Sequence, residues 1–270
     1  ANITVSNNVN KAEADIIDAY NSTSGTVTLT SITDTVDNVE AVRLDATISI
    51  ASSTITVTDA ASLANANTFN SATSAQVTLN SVEDTYDNLI SIDGITTSEV
   101  SMADAAVKVT SNIDKTKLDT LRGDTTGTVT VADITEDKTD LGTISKYGDV
   151  DLKTANIAVT GNVSKAEADT IDGYNSTSGT VTLSTVTDTF ANIKLLHEDT
   201  SISIASAAVT VTNAASLANA NTLNGYTSGQ VTLNSVEDTY DNLISIDGIT
   251  TSEVSMADAA VTVTGSIDKT

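Results

Sequence analysis

The sequence predicts a repeat solenoid. Parallel β-strands alternate with short helices or loops, as in a β-solenoid or a leucine-rich-repeat-like α/β solenoid, with right-handed crossovers. Three observations predict it: a long internal duplication, a shorter recurring apolar–polar–apolar triplet, and a composition that suits a thin, repeated core. Residues 1–116 align without a gap on 155–270, at an offset of 154. Identity across that alignment is roughly 70%, far above what a shared fold alone requires. The segment VTLNSVEDTYDNLISIDGITTSEVSMADAAV starts at Val77 and again at Val231.

The triplets fall into three series. The first runs Ile3-Thr4-Val5, Ile55-Thr56-Val57, Val107-Lys108-Val109, Ile157-Ala158-Val159, Val209-Thr210-Val211 and Val261-Thr262-Val263. The second holds Val27-Thr28-Leu29, Val77-Thr78-Leu79, Val129-Thr130-Val131, Val181-Thr182-Leu183 and Val231-Thr232-Leu233. The third holds Ile48-Ser49-Ile50, Val100-Ser101-Met102, Val150-Asp151-Leu152, Ile202-Ser203-Ile204 and Val254-Ser255-Met256. In a strand, successive side chains point to opposite faces, so each triplet turns its outer two side chains to the core and its middle one to water. The second and third series together predict coils alternating between 21–23 and 29–31 residues. The alternative is one coil per 52 residues, with the first and second series on opposite faces. Between the triplets, KAEADIIDAY, ASLANANTFN and KTKLDTLRG carry helical spacing, as do shorter stretches such as DTYDNLISI. A unit of this size cannot bury its apolar face alone and must stack on its neighbours.

The expected organisation is one continuous solenoid. Residues 1–154 form a first super-repeat of three units of about 52 residues, and 155–270 form a second, truncated one. The chain opens on Ala1-Asn2-Ile3, which restarts at Ala155-Asn156-Ile157, and it closes on Ile267-Asp268-Lys269-Thr270, which matches Ile113-Asp114-Lys115-Thr116 inside a unit. The expectation is a stretch of a longer array, with self-association or continuation of the same chain end to end.

Composition narrows the function. Cys, Pro and Trp are absent, aromatic residues make up 3% of the chain, and the hydrophobic fraction is 39%, too high for a disordered acidic tail. Twelve Lys and Arg against 36 acidic residues give a formal net charge of −24, which leaves no basic face for nucleic acid. No apolar run reaches the length of a membrane span.

Candidate chemistry is sparse. The recurrent D-T-x-x-N places Asp34 with Asn38, Asp84 with Asn88, Asp188 with Asn192 and Asp238 with Asn242, while Glu136 and Asp140 stand in the divergent unit. These aspartates read first as helix caps. Second, Asp34, Asp84, Asp188 and Asp238 read as a weak calcium edge, because hard cations take oxygen ligands. His197 is the only histidine, so zinc sites and His-based triads have no framework, and the sequence predicts no enzyme. Residues 111–156 diverge most and carry Lys115, Lys117, Arg122, Lys138, Lys146, Lys153 and Tyr147, a slightly basic spot. Asn2-Ile3-Thr4 and Asn21-Ser22-Thr23 match the glycosylation sequon, as chance allows in so Thr- and Ser-rich a chain.

The stretches VTVTNAASLANANTLNGYTSGQVTL and SVEDTYDNLISIDG resemble repeats of giant secreted surface and adhesin-like proteins of marine bacteria and cyanobacteria. The resemblance covers nearly the whole chain. It implies a bacterial, extracellular or cell-surface location, a structural role as fibre, sheath, surface layer or adhesin stalk, and no enzyme; no cofactor is expected, calcium being the one possible ion. The alternative function is a carbohydrate- or cell-binding solenoid module. This chain lacks the glycine–aspartate nonapeptide of calcium β-rolls, so calcium binding does not follow from the resemblance.

Overall fold

The computed structural model describes residues 1–21, 24–95, 99–249 and 253–265. Ser22 and Thr23 of the second sequon and the segment 267–270 lie outside the described residues. The chain divides into two compact units: residues 1–132 with 148–151, and residues 133–147 with 152–270. Each is built as a parallel β/α solenoid.

The first unit runs β1 (Ile3–Val9), α1 (Lys11–Tyr20), β2 (Val27–Asp34), α2 (Val36–Leu44), β3 (Ile48–Ser49), β4 (Thr54–Ala61), α3 (Leu63–Ala72), β5 (Val77–Asp84), α4 (Tyr86–Asp93), β6 (Val100–Ser101), β7 (Ala106–Ile113) and α5 (Lys115–Asp124). It also takes the start of β8 (Val129–Asp137). The second unit takes the end of β8 and α6 (Lys138–Ile144). β9 (Val150–Asp151) belongs with the first unit. The second unit continues with β10 (Asn156–Val163), α7 (Lys165–Asp172), β11 (Val181–Asp188), α8 (Phe190–Glu198), β12 (Ile202–Ser203), β13 (Ala208–Ala215), α9 (Leu217–Asn224), β14 (Val231–Asp238), α10 (Tyr240–Asp247), β15 (Val254–Ser255) and β16 (Ala260–Val263).

Each turn contributes one full strand and one helix. Turns of two kinds alternate. Those led by the first triplet series are called odd here, and those led by the second series even. Odd and even strands pair directly and in parallel: Ile3 faces Val27, Ile55 faces Val77, Ile157 faces Val181 and Val209 faces Val231. This overturns the placement of the two series on opposite faces and the 52-residue coil. The alternation of 21–23 with 29–31 residues is also corrected. The third series forms only two-residue strands, such as β3, which pairs Ile48 with Val27 and Ser49 with Thr28. The chain then makes a turn, Ser53 N donating to the Ile50 carbonyl at 3.0 Å, and resumes pairing with the same β2 as β4, Ile55 facing Ile32. β3 and β4 are therefore one interrupted strand.

The inward residues of the strands meet one stripe of each helix. Val27, Leu29, Val77, Leu79, Val129, Val131, Val181, Leu183, Val231 and Leu233 are all at most 1% exposed. The even helices add pairs three residues apart, Val39 with Val42, Leu89 with Ile92 and Ile193 with Leu196, as a helix buried along one face requires. The odd helices do the same with Ala66 and Phe69 or Leu118 and Leu121. The other face of the sheet is hydroxylated: Thr33, Thr56, Thr78 and Ser101 stand in register across four strands, as do Thr187, Thr210, Thr232 and Ser255.

Four odd helices start with capping boxes, Asn10 with Glu13, Ser62 with Asn65, Ser164 with Glu167 and Ser216 with Asn219, while α5 is capped by Asp114, which accepts from the Lys117 amide. They end in a tight return in which the buried Thr125 and Thr227 donate to the carbonyls of Ala105 and Ala207, both at 2.6 Å. Glycine follows because the backbones nearly touch: a Cβ on Gly127 would lie 2.1 Å from the Ala105 oxygen, and one on Gly229 2.2 Å from that of Ala207.

Candidate functional site

The aspartate of D-T-x-x-N is the last residue of each even strand, and the structure gives it a different job from the one its position suggests. The N-caps of α2 and α8 are Thr35 and Thr189, whose hydroxyls accept from the Asn38 and Asn192 amides. Asp34 precedes that cap and joins two coils. Its Oδ1 accepts from the Thr35 N–H and the Asn38 Nδ2, both at 2.8 Å. Its Oδ2 accepts at 2.8 Å from the N–H of Lys11, the first residue of the preceding helix α1. Asp84 repeats this with Thr85, Asn88 and Leu63 at 2.8, 2.8 and 3.1 Å. Asp188 takes Thr189, Asn192 and Lys165 at 2.7, 2.8 and 2.9 Å. Asp238 takes Thr239, Asn242 and Leu217 at 2.8, 2.8 and 3.0 Å.

Burial pushes the Asp34, Asp84 and Asp188 carboxyls up, but the donors around them outweigh it and hold all three below the usual carboxylate range. At Asp238 the Asn242 amide leads, and the direction is again down. In the divergent unit the cap of α6 is Asp137, which accepts from the amides of Thr139 and Asp140 at 2.8 and 2.9 Å. Glu136 accepts from Asp137 N at 3.3 Å. The four aspartates thus sit one to a coil, each ringed by N–H donors. Among the described residues, no group of three or more His, Cys, Asp or Glu side chains is arranged to hold a metal ion.

The basic residues of 111–156 are largely engaged with acids. In the first unit Lys115 pairs with Asp119, Arg122 reaches Asp149 at 2.9 Å, and the Lys117 ammonium lies 5.2 Å from the centre of the Tyr86 ring. In the second unit Lys138 meets Glu167 at 2.7 Å. No helix among the described residues is long and apolar enough to cross a membrane.

One place departs from the repeat in a concerted way. His197 near the end of α8 stacks on Tyr226, which follows α9, with ring centroids 3.9 Å apart and planes at 15°. Their counterparts 154 residues earlier are Arg43, paired with Glu40 at 2.6 Å, and Ala72. The two rings border a surface cleft of about 570 Å³ whose lining includes Asn224, Ser228 and Glu253. Asn224 donates to Glu253 at 3.1 Å, as Asn70 does to Glu99 at 3.3 Å, so that bridge belongs to the repeat and the ring stack does not. In the sequence His197 stands out only as the single histidine. The signal for its partner was the paired change of Arg43 to His197 and Ala72 to Tyr226.

Comparison with protein families, curated proteins and solved structures finds no match.

Proposed function

We propose that this chain is a structural repeat region of a bacterial extracellular or cell-surface protein: a fibre, sheath, surface layer or adhesin stalk without catalytic activity or cofactor. The observation that carries the reading is the same three-donor junction at Asp34, Asp84, Asp188 and Asp238, which ties each of those coils to the one before it. Such a junction serves coil-by-coil extension. The hydroxyl rows on the outer sheet face and the net charge of −24 suit a hydrated surface that resists clumping. Electron microscopy of the native protein on its source cells, with proteolysis of intact cells alongside, tests this. Regular fibres or a surface lattice, and cleavage from outside, are expected. Protection inside the cell, or turnover of a substrate by the purified protein, overturns the reading.

A second reading, a carbohydrate-binding module, rests on the His197–Tyr226 stack beside Glu253 and Asn224. Aromatic faces flanked by amide and carboxylate suit a sugar's apolar face and its hydroxyls. Titration against a panel of surface polysaccharides is expected to show binding that Tyr226→Ala removes. Equal binding by the two proteins ends this reading.

A further inference from the structure

The first N–H of a helix has no acceptor within its own helix. In this chain a side chain from another coil supplies one, and it comes from one side. The aspartates that end the even strands serve the odd helices: Asp34, Asp84, Asp188 and Asp238 accept from the first N–H of α1, α3, α7 and α9. Residues inside the odd strands serve the even helices. Asp59 Oδ1 accepts from Val36 N, the first N–H of α2, at 2.7 Å. Ser111 Oγ accepts from Tyr86 N of α4 at 3.0 Å, and Asn213 Oδ1 from Phe190 N of α8 at 2.8 Å. In all seven the acceptor lies in the next coil towards the C-terminus, 21 to 25 residues further on.

A bulge lets the odd strands reach back. Pairing slips between Val57 and Ala60 of β4 and between Val211 and Ala214 of β13, so Asp59 and Asn213 leave the ladder. A bulge re-aims the side chain it carries, here towards the helix of the coil before. The same slip occurs in β10, between Val159 and Asn162. Val159 pairs with Glu136 as Val57 pairs with Asp34, so Gly161 holds the place of Asp59. Gly161 stands at φ 78° and carries no acceptor. The helix it would serve is α6. Among the described residues no side chain accepts from the Lys138 N–H, and α6 relies on Asp137 of its own coil, which takes the next two amides.

We propose that these bonds form a one-way relay: each helix is held closed by the acceptor that the following coil delivers, loss of an acceptor loosens the coil before it and spares the helix after it, and the relay lapses at α6. An acceptor at a helix start answers both the unpaired N–H and the positive end of the helix dipole. In a chain that emerges N-terminus first, each helix is completed as the next coil packs, so the locks close in the order of the coils. The relay bears on how the array opens and not on where it serves, so its test is independent of imaging.

Segment-resolved hydrogen exchange of the 270-residue chain provides that test. The Asp59 and Asn213 side chains are exposed, so their loss disturbs little packing in their own coils. Asp59→Ala should speed exchange in α2 roughly tenfold. It should leave α3 at the wild-type rate, although Asp59 lies four residues before Leu63 and 23 after Val36. Asn213→Ala should do the same to α8 and spare α9. Asp59→Asn, which keeps an acceptor oxygen, should recover most of the protection of α2. Asparagine tolerates a positive φ better than other non-glycine residues do, and it brings an acceptor. Gly161→Asn should therefore slow exchange in α6 below the wild-type rate, while Gly161→Ala should not. Faster exchange in α3 or α9, equal loss on both sides, or no change in α2 and α8 overturns the relay. A Gly161→Asn protein whose α6 exchanges no more slowly than wild type overturns the lapse at α6.

Discussion

Leu79→Asp is expected to unfold the coils around β5, while Thr78→Asp leaves them intact. The two positions are neighbours in one strand and differ only in the face they present. Leu79 is 1% exposed, and its β4 neighbour Val57 is fully buried. A carboxylate there loses its hydration with no donor to replace it, and the leucine's own burial is lost as well. Together these cost roughly 4 kcal/mol or more. Thr78 stands on the hydroxyl face between Thr56 and Ser101, where water reaches it, and its substitution should cost less than about 1 kcal/mol. Because each coil depends on its neighbours, the leucine substitution should spread to the adjoining turns and fade with distance. Hydrogen exchange resolved by segment measures this. Loss of protection over 54–113 with retention in 156–249 is the expected pattern. Uniform loss along the chain would mean that the array folds as one cooperative block, and unchanged protection would mean that Leu79 is not a core residue.

That contrast was legible in the sequence because a period of two assigns faces without knowledge of the partner strand. Val27-Thr28-Leu29 and its repeats could be sorted into buried and outward residues from alternation alone, and the helices at KAEAD and ASLANANT from spacing. Coil length was not legible. Ile48-Ser49-Ile50 has the same pattern as a full strand, yet only Ile48 and Ser49 pair before the chain turns at Ser53, whose buried hydroxyl donates to the Leu29 carbonyl at 2.6 Å. A triplet cannot distinguish a strand from the first half of an interrupted one. The same misjudgement hid half of what the aspartates bond. With the stacking step misjudged, Asp34 could be assigned only to the helix that follows it, although one of its oxygens caps the helix before it. The His197–Tyr226 stack was hidden for the same reason, since residues 29 apart in sequence meet only once the turns are correctly superposed.

Asp84→Ala should therefore loosen two coils at once, and most where the carboxylate is ionised. The side chain accepts three hydrogen bonds: from Thr85 and Asn88 in its own coil and from Leu63 at the start of α3. The helix N-terminus favours the negative charge, and the first N–H of α3 has no acceptor within its own helix. Water can replace part of this at a half-buried site, so the expected loss at neutral pH is about 1–2 kcal/mol. Asp84→Asn, which keeps an acceptor oxygen but no charge, should fall between Ala and wild type. The pH dependence has a fixed sign. The folded pKa is depressed below the ordinary value, so the stabilisation is complete above the unfolded pKa of about 4 and disappears as pH falls through the folded one. Asp34, Asp188 and Asp238 shift in the same direction, so the wild-type protein should lose stability steeply below about pH 4. Urea denaturation of wild type, Asp84→Ala and Asp84→Asn from pH 7 to pH 2.5 measures the convergence. The wild-type curve should fall to the Asn curve at the acid end, because a protonated carboxyl, like the amide, keeps an acceptor oxygen and loses the charge. A gap that stays constant down to the lowest pH would mean that Asp84 acts by its shape and not by its charge.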